Sequence, residues 1–148
     1  MSRIRRILHP SDFSRASGAA FAKAVDLAAT NRAELLVLHV MAPVIPMVGD
    51  GYVSPKLYEE IESSARAQAQ KQLDALVAKA KKAGVRVQAF LVGGVPHEQI
   101  TRAARSKRTD LVVIGTHGRT GLAKFFLGSV AGRVVSIAPC PVLTVRGK

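Results

Sequence analysis

Gly115, Gly118 and Gly128, the last followed by Ser129 and Val130, are the residues whose spacing points most directly to chemistry. Glycines let a backbone adopt positive φ and come close to a ligand. Successive N–H groups in such turns form a cradle for anions. Gly128-Ser129-Val130 reads as the opening of a helix, whose first N–H groups are unpaired and whose dipole places about half a positive charge there. The Ser129 hydroxyl adds one more donor. A glycine cradle and a helix N-terminus facing one space imply a polyphosphate. The competing reading is plain loop geometry. The position of the loop, between an apolar strand and a helix, favours the phosphate reading.

Asp12 is the second candidate. It is the carboxylate that falls directly at the carboxyl end of a predicted strand, where it can accept hydrogen bonds from ribose hydroxyls or an adenine amino group. It can also simply cap the helix that follows. His117 and Arg119 lie in the glycine loop and could orient a water and stabilise phosphate charge. Equally, His117 could close the loop while Arg119 stays solvated. No carboxylate in that loop could serve as a base, so any hydrolysis should be slow. Cys140, between Pro139 and Pro141, reads as a small buried filler. His39 reads as a structural strand residue. The P-loop pattern, the dinucleotide fingerprint G-x-G-x-x-G and the G-x-S-x-G elbow do not occur. Metal-ligand spacing of His, Cys or carboxylates is likewise missing from the sequence.

The elements that must position these residues follow from periodicity. Ile4 to His9 is a short apolar strand closed by Pro10. Ser14 is a predicted N-cap for a helix to about Thr30 with Phe21, Val25 and Ala28 on one face. Glu34 to Val40 is a continuous apolar run, as in a buried parallel strand. Prolines and glycines mark 41–54 as a loop. Ser54-Pro55 opens a long helix with Leu57, Ile61, Ala65, Leu73, Leu76 and Ala80 on one side, and Gly84 stops it. Val85 to Val92 is the third strand, Pro96 to Ser106 a helix and Asp110 to Ile114 the fourth strand. A helix from Ser129 to about Ala138 and a strand from Pro141 to Val145 complete the chain.

Strands alternating with helices specify an α/β fold, a parallel sheet with helices on both faces. Residues 1–148 are read as one domain. Open parallel sheets take ligands beyond the carboxyl ends of their strands, where strand order reverses. That singles out Pro10-Ser11-Asp12, Val40-Met41, Gly93-Gly94 and Gly115-Thr116-His117-Gly118.

Composition sets the remaining bounds. Nearly half of the 148 residues are apolar, which excludes a disordered chain. No apolar run approaches the roughly 20 residues of a membrane span. The basic start Met1-Ser2-Arg3-Ile4-Arg5-Arg6 leads into only Ile7-Leu8 before Pro10, so no signal peptide is expected. A single cysteine cannot form an internal disulfide. A cytoplasmic location is therefore expected. The formal net charge is +12. It fits either an anionic partner or a merely basic surface. The basic residues are scattered along the chain and seven aromatics offer little stacking, which argues against a nucleic-acid partner.

Gly115-x2-Gly118-x9-Gly128-Ser129 resembles the nucleotide signature of the ATP-binding branch of the universal stress protein family. The opening Ile7-Leu8-His9-Pro10-Ser11-Asp12-Phe13-Ser14 looks like that family's first strand and loop, and Ala138 to Val145 resembles its last strand. His9 stands where an apolar residue is more usual and is read as a partly buried strand residue.

The resemblance implies a three-layer sandwich with a five-stranded parallel sheet in order 3-2-1-4-5. It implies that Asp12 meets the adenosine end of ATP beside the Pro10-Ser11 backbone, and that Val40 touches the adenine. Gly115, Thr116, Gly118, Gly128, Ser129 and Val130 would surround ribose and phosphates, with Mg2+ held through the phosphates. It further implies a homodimer through the last strand, Val142, Leu143, Thr144 and Val145. The function expected is an ATP-dependent switch in stress response. A slow ATPase or phosphotransferase and a nucleic-acid-binding module using the basic surface are the alternatives.

Overall fold

The computed structural model describes residues 3–43, 54–117 and 127–147. Gly118 and Arg119, and the stretch from Met47 to Tyr52, lie outside the described residues.

Among the described residues nine elements alternate: β1 (Arg6–Pro10), α1 (Arg15–Asn31), β2 (Glu34–Met41), α2 (Pro55–Lys82), β3 (Val87–Gly93), α3 (Pro96–Ser106), β4 (Leu111–Gly115), α4 (Ser129–Ile137) and β5 (Val142–Val145). The strands form one parallel sheet in order β3-β2-β1-β4-β5. Chain order reverses between β1 and β4, so a crevice opens beyond the carboxyl ends of these two strands. The loops after β1 and β4, which carry Asp12 and Gly115-Thr116-His117, flank it.

Strand alternation divides the core between the two faces of the sheet. Ile7, Leu35, Val37 and Val113 point to one face and pack with Phe21 and Ala24 of α1 and Leu73 of α2. Leu8, Leu36, Val112 and Ile114 point to the other and pack with Ile100 and Ala104 of α3 and Val134 of α4. Burial of both faces explains why the central strands read as unbroken apolar runs.

Three of the four turns that lead from a helix into the next strand share one geometry. Ala33 N–H donates to Ala28 O at 2.9 Å, Val85 N–H to Ala80 O at 3.1 Å and Thr109 N–H to Ala104 O at 3.0 Å. Each follows a residue in the left-handed region: Arg32 at φ 53°, Gly84 at φ 80° and Arg108 at φ 51°. These are Schellman-type ends, which satisfy the last carbonyls of each helix.

The structure corrects several expectations. α2 ends at Lys82 and β3 begins only at Val87, because Gly84 and Val85 form the turn. Of the predicted apolar side of α2, Leu73 and Ala80 are buried, Ala65 and Leu76 are half-buried and Leu57 and Ile61 are exposed; Ala69 is buried as well. A 28-residue helix is about 42 Å long and the seven-residue β3 about 23 Å, so the first turns of α2 project past the sheet. His9, expected to be partly buried, is fully buried. None of the described helices is long and apolar enough to cross a membrane.

Candidate functional site

Beyond the carboxyl ends of β1 and β4 lies a cavity of about 550 Å³, within the range of roughly 300–1,000 Å³ usual for small-molecule sites. Leu38, Ile100, Ile114 and Ala131 give it an apolar floor, and Val40 and Ala42 line the side next to β2. Pro10, Ser11, Asp12 and Ser17 form one wall; Gly115, Thr116 and His117 form a second, with Gly128, Ser129 and Val130 beside it. Nine of the ten sequence-predicted site residues therefore line one space. The tenth, Gly118, is outside the described residues.

The Asp12 wall is built by local hydrogen bonding. Ser11 N–H donates to Leu38 O at 2.8 Å, which ties the loop to the end of β2. Ser14 caps α1 by accepting the Ser17 N–H at 3.2 Å. Asp12 Oδ1 accepts both the Ser14 N–H at 2.9 Å and the Ser17 hydroxyl at 2.7 Å. The Asp12 N–H donates to Ser17 Oγ at 3.2 Å. Asp12 braces the first turn of α1, and it also lines the cavity. Between these residues Phe13 sits at φ 65°, a costly conformation for a non-glycine residue.

His39 holds this strained loop in place. Its Nδ1 lies 2.7 Å from Ser11 O; the carbonyl can only accept, so Nδ1 donates. Its ring stacks on Phe13 at 4.2 Å between centroids. His39 is structural, as expected, and the structure adds which loop it supports.

The second wall is held together at Thr116. Its N–H donates to Val145 O at 2.9 Å, and its carbonyl accepts the Gly128 N–H at 2.6 Å. That bond brings the start of α4 against the end of β4. Gly128 has no side chain to cap α4, and among the described residues no side chain caps it; the first N–H groups of such a helix can be met by water or a ligand. His117 Nδ1 is 2.9 Å from Thr116 Oγ1, and its Nε2 is shielded from solvent with no hydrogen-bond partner among the described residues.

The glycines differ from expectation in their reason. Gly128 has φ −58° and ψ 157°, which any residue adopts, and Gly115 is not among the positive-φ glycines. What Gly115 needs is space: a Cβ there would stand 3.0 Å from the Ala16 carbonyl carbon and oxygen and 3.2 Å from Ser17 N. β4 and the first turn of α1 approach so closely that a side chain there would have to push backbone atoms aside.

Below the site, His9 Nδ1 is 2.9 Å from Val113 O. Pro10 has no N–H to offer β4, and the recorded β1–β4 register ends at Leu8↔Val112. The ring thus supplies a donor where the ladder stops. Burial holds the His9 pKa down to about 4, against the opposing effects of the Val113 hydrogen bond and the Asp12 charge. Cys140 is half-buried, and burial raises its pKa, as suits an unreactive filler.

Sequence reasoning missed Ser17, Pro96 and Ile100 as parts of this wall and floor. Ser17 was within reach, because it falls three residues after the N-cap Ser14, where a capping partner belongs. Ile100 projects from α3, and nothing local marks it as facing a cavity.

Fold and crevice define a doubly wound α/β protein with its cavity at a topological switch point. Within that class the chain belongs to the universal stress protein family, whose family model matches residues 3–146. Universal stress protein MJ0531 of Methanocaldococcus jannaschii is 35% identical over 142 residues, covering 96% of this chain and 82% of its own. The solved structure of MJ0577, from the same organism, superposes with a TM-score of 0.86 at 26% identity and covers 99% of both chains. A universal stress protein in complex with cAMP shares the fold with a TM-score of 0.74 at 24% identity, covering 99% of this chain and 100% of that one.

Proposed function

We propose that this universal stress protein, read as one domain over residues 1–148, binds ATP in the cavity and acts as a nucleotide-dependent switch in stress response. One observation carries the reading. Asp12 on one wall and the N-terminus of α4, which no side chain among the described residues caps, face a single nucleotide-sized cavity with an apolar floor. The adenosine end would lie between Asp12 and Val40, over Leu38 and Ile100. The phosphates would meet the N–H groups of Ser129 and Val130 and the backbone of Gly115 and Thr116, with Gly118 and Gly128 completing the cradle. The complex of a protein of this fold with cAMP is in keeping with an adenine ligand.

Among the described residues no three His, Cys, Asp or Glu side chains converge. A Mg2+ ion would therefore take its ligands from the phosphates and water, the usual arrangement for this cation.

The test is thermal unfolding of nucleotide-stripped protein with and without Mg-ATP. Ligand at 100 times its dissociation constant adds about 2.7 kcal/mol, a rise of a few degrees for a chain of this length. The rise should vanish in Gly118→Val/Ser129→Ala and in Val40→Trp, which fills the adenine end. No rise in the wild type overturns the reading. Hydrogen exchange across 115–128 tests the switch itself: unchanged protection on binding ATP rules it out.

A further inference from the structure

Basic residues that lie apart in the sequence meet at the edge of the sheet opposite the cavity. An arginine stands at the amino end of four adjacent strands: Arg86 before β3, Arg32 before β2, Arg5 before β1 and Arg108 before β4. Backbone bonds fix their neighbourhood. Leu35 N–H donates to Arg86 O at 2.8 Å, Glu34 N–H to Arg5 O at 2.8 Å and Asp110 N–H to Arg6 O at 2.9 Å. Neighbouring strands are about 4.8 Å apart, so the row spans roughly 14 Å. All four arginines are exposed. Lys81 and Lys82 at the end of α2 and Arg105 at the end of α3 widen the patch.

The carboxylates at this edge are already engaged. Glu34 faces Arg6 at 3.9 Å and accepts from Gln88 at 2.9 Å. Asp110 Oδ2 accepts the N–H groups of Arg5 and Arg6 at 2.9 and 3.0 Å. Among the described residues no carboxylate forms an ion pair with the Arg5, Arg32, Arg86 or Arg108 side chain.

The backbone gives a second, independent pointer. Arg32 and Arg108 occupy the left-handed position that Gly84 fills in the matching turn. That conformation disfavours a side chain, and strain of this kind is a pointer to function. Two turns of three hold a guanidinium where glycine would be easier.

The patch fits phosphate rather than bases or lipid. Phe90, the aromatic ring packed near it, is covered by Lys107 Nζ at 3.7 Å, so it offers no stacking platform. No large apolar side chain is exposed in the turns 31–33, 83–86 and 107–110, so these turns hold no bilayer anchor. Guanidinium groups bind phosphate oxygens in bidentate fashion. We propose that this edge binds the phosphodiester backbone of a nucleic-acid duplex without reading its sequence, on the opposite end of the sheet from the nucleotide cavity.

The experiment is fluorescence anisotropy of full-length protein with labelled DNA and RNA duplexes of about 20 base pairs. Neutralising four phosphates should weaken binding about 10²-fold between 50 and 200 mM salt. Arg32→Gly/Arg108→Gly should reduce the salt slope by about 2 while leaving the melting temperature unchanged or raised, because glycine relieves both turns. Lys23→Gln/Lys71→Gln removes the same charge from exposed helix surface elsewhere and should leave the slope unaltered. No anisotropy change at low salt overturns the proposal. So does an equal loss in both variants, binding to only one of the two duplexes, or preferential binding to vesicles containing phosphatidylserine.

Discussion

The Ser17 hydroxyl donates to Asp12 Oδ1 at 2.7 Å while the Asp12 N–H donates back to Ser17 Oγ at 3.2 Å. This reciprocal pair joins the loop after β1 to the first turn of α1 and fixes where the carboxylate sits in the cavity wall. Ser17→Ala breaks both bonds and leaves the buried end of the loop less well held. The expected loss is about 1–2 kcal/mol of unfolding free energy, read by urea denaturation. A weaker affinity for Mg-ATP, read by calorimetry, should accompany it. Loss of stability with unchanged affinity would mean that the pair braces the helix and nothing more.

Gly115→Ala separates two roles for a motif glycine. The added methyl would press on the Ala16 carbonyl group and Ser17 N, which are backbone atoms and cannot swing aside. A loss of about 1–3 kcal/mol is expected without any nucleotide present. If the apo protein keeps its stability and only nucleotide binding suffers, Gly115 serves ligand approach instead of packing.

Much of this architecture was legible in the sequence, for identifiable reasons. The alternation of elements announced a parallel sheet, and the switch-point rule directed attention to the loops that flank the cavity. α3 carries its own punctuation in Pro96 and falls at the predicted residues. The less legible features involve partners far apart in the chain. His39 and Ser11 are 28 residues apart and His9 and Val113 are 104 apart, so neither bond has a local signal. The exposed start of α2 depends on how far the sheet reaches, which helical periodicity does not encode. The arginine row depends on strand order: residues scattered from 5 to 108 become neighbours only once the strands are paired.

The last strand offers a surface for a second copy. β5 pairs with β4 on one side and stands at the edge of the sheet, with Leu143 exposed. Edge strands invite pairing unless they are blunted, and a homodimer through Val142–Val145 would bury Leu143 at a twofold contact. Leu143→Lys should convert a dimer to a monomer in light scattering, with little change in far-ultraviolet circular dichroism. A wild-type protein that is monomeric across the micromolar range would rule this dimer out.

His9 predicts how stability depends on pH. Its Nδ1 proton is committed to Val113 O, so a second proton must go to Nε2, which is buried with no partner among the described residues. Burial accordingly lowers the folded pKa to about 4, while in the unfolded chain it returns to about 6.5. Above pH 6.5 the ring is neutral in both states and costs nothing. Between 6.5 and 4 the unfolded chain binds more protons than the folded one, so stability falls as pH falls, by up to about 1.4 kcal/mol per unit and about 3 kcal/mol across the window. His9→Leu removes this dependence. It also leaves Val113 O without its donor, at a cost of about 1–3 kcal/mol at neutral pH. Urea denaturation from pH 4 to 7.5 should therefore show a steep wild-type curve and a flatter variant curve that starts lower, the two converging or crossing in acid. Parallel curves would assign the acid sensitivity to other groups and leave the buried ring as a donor alone.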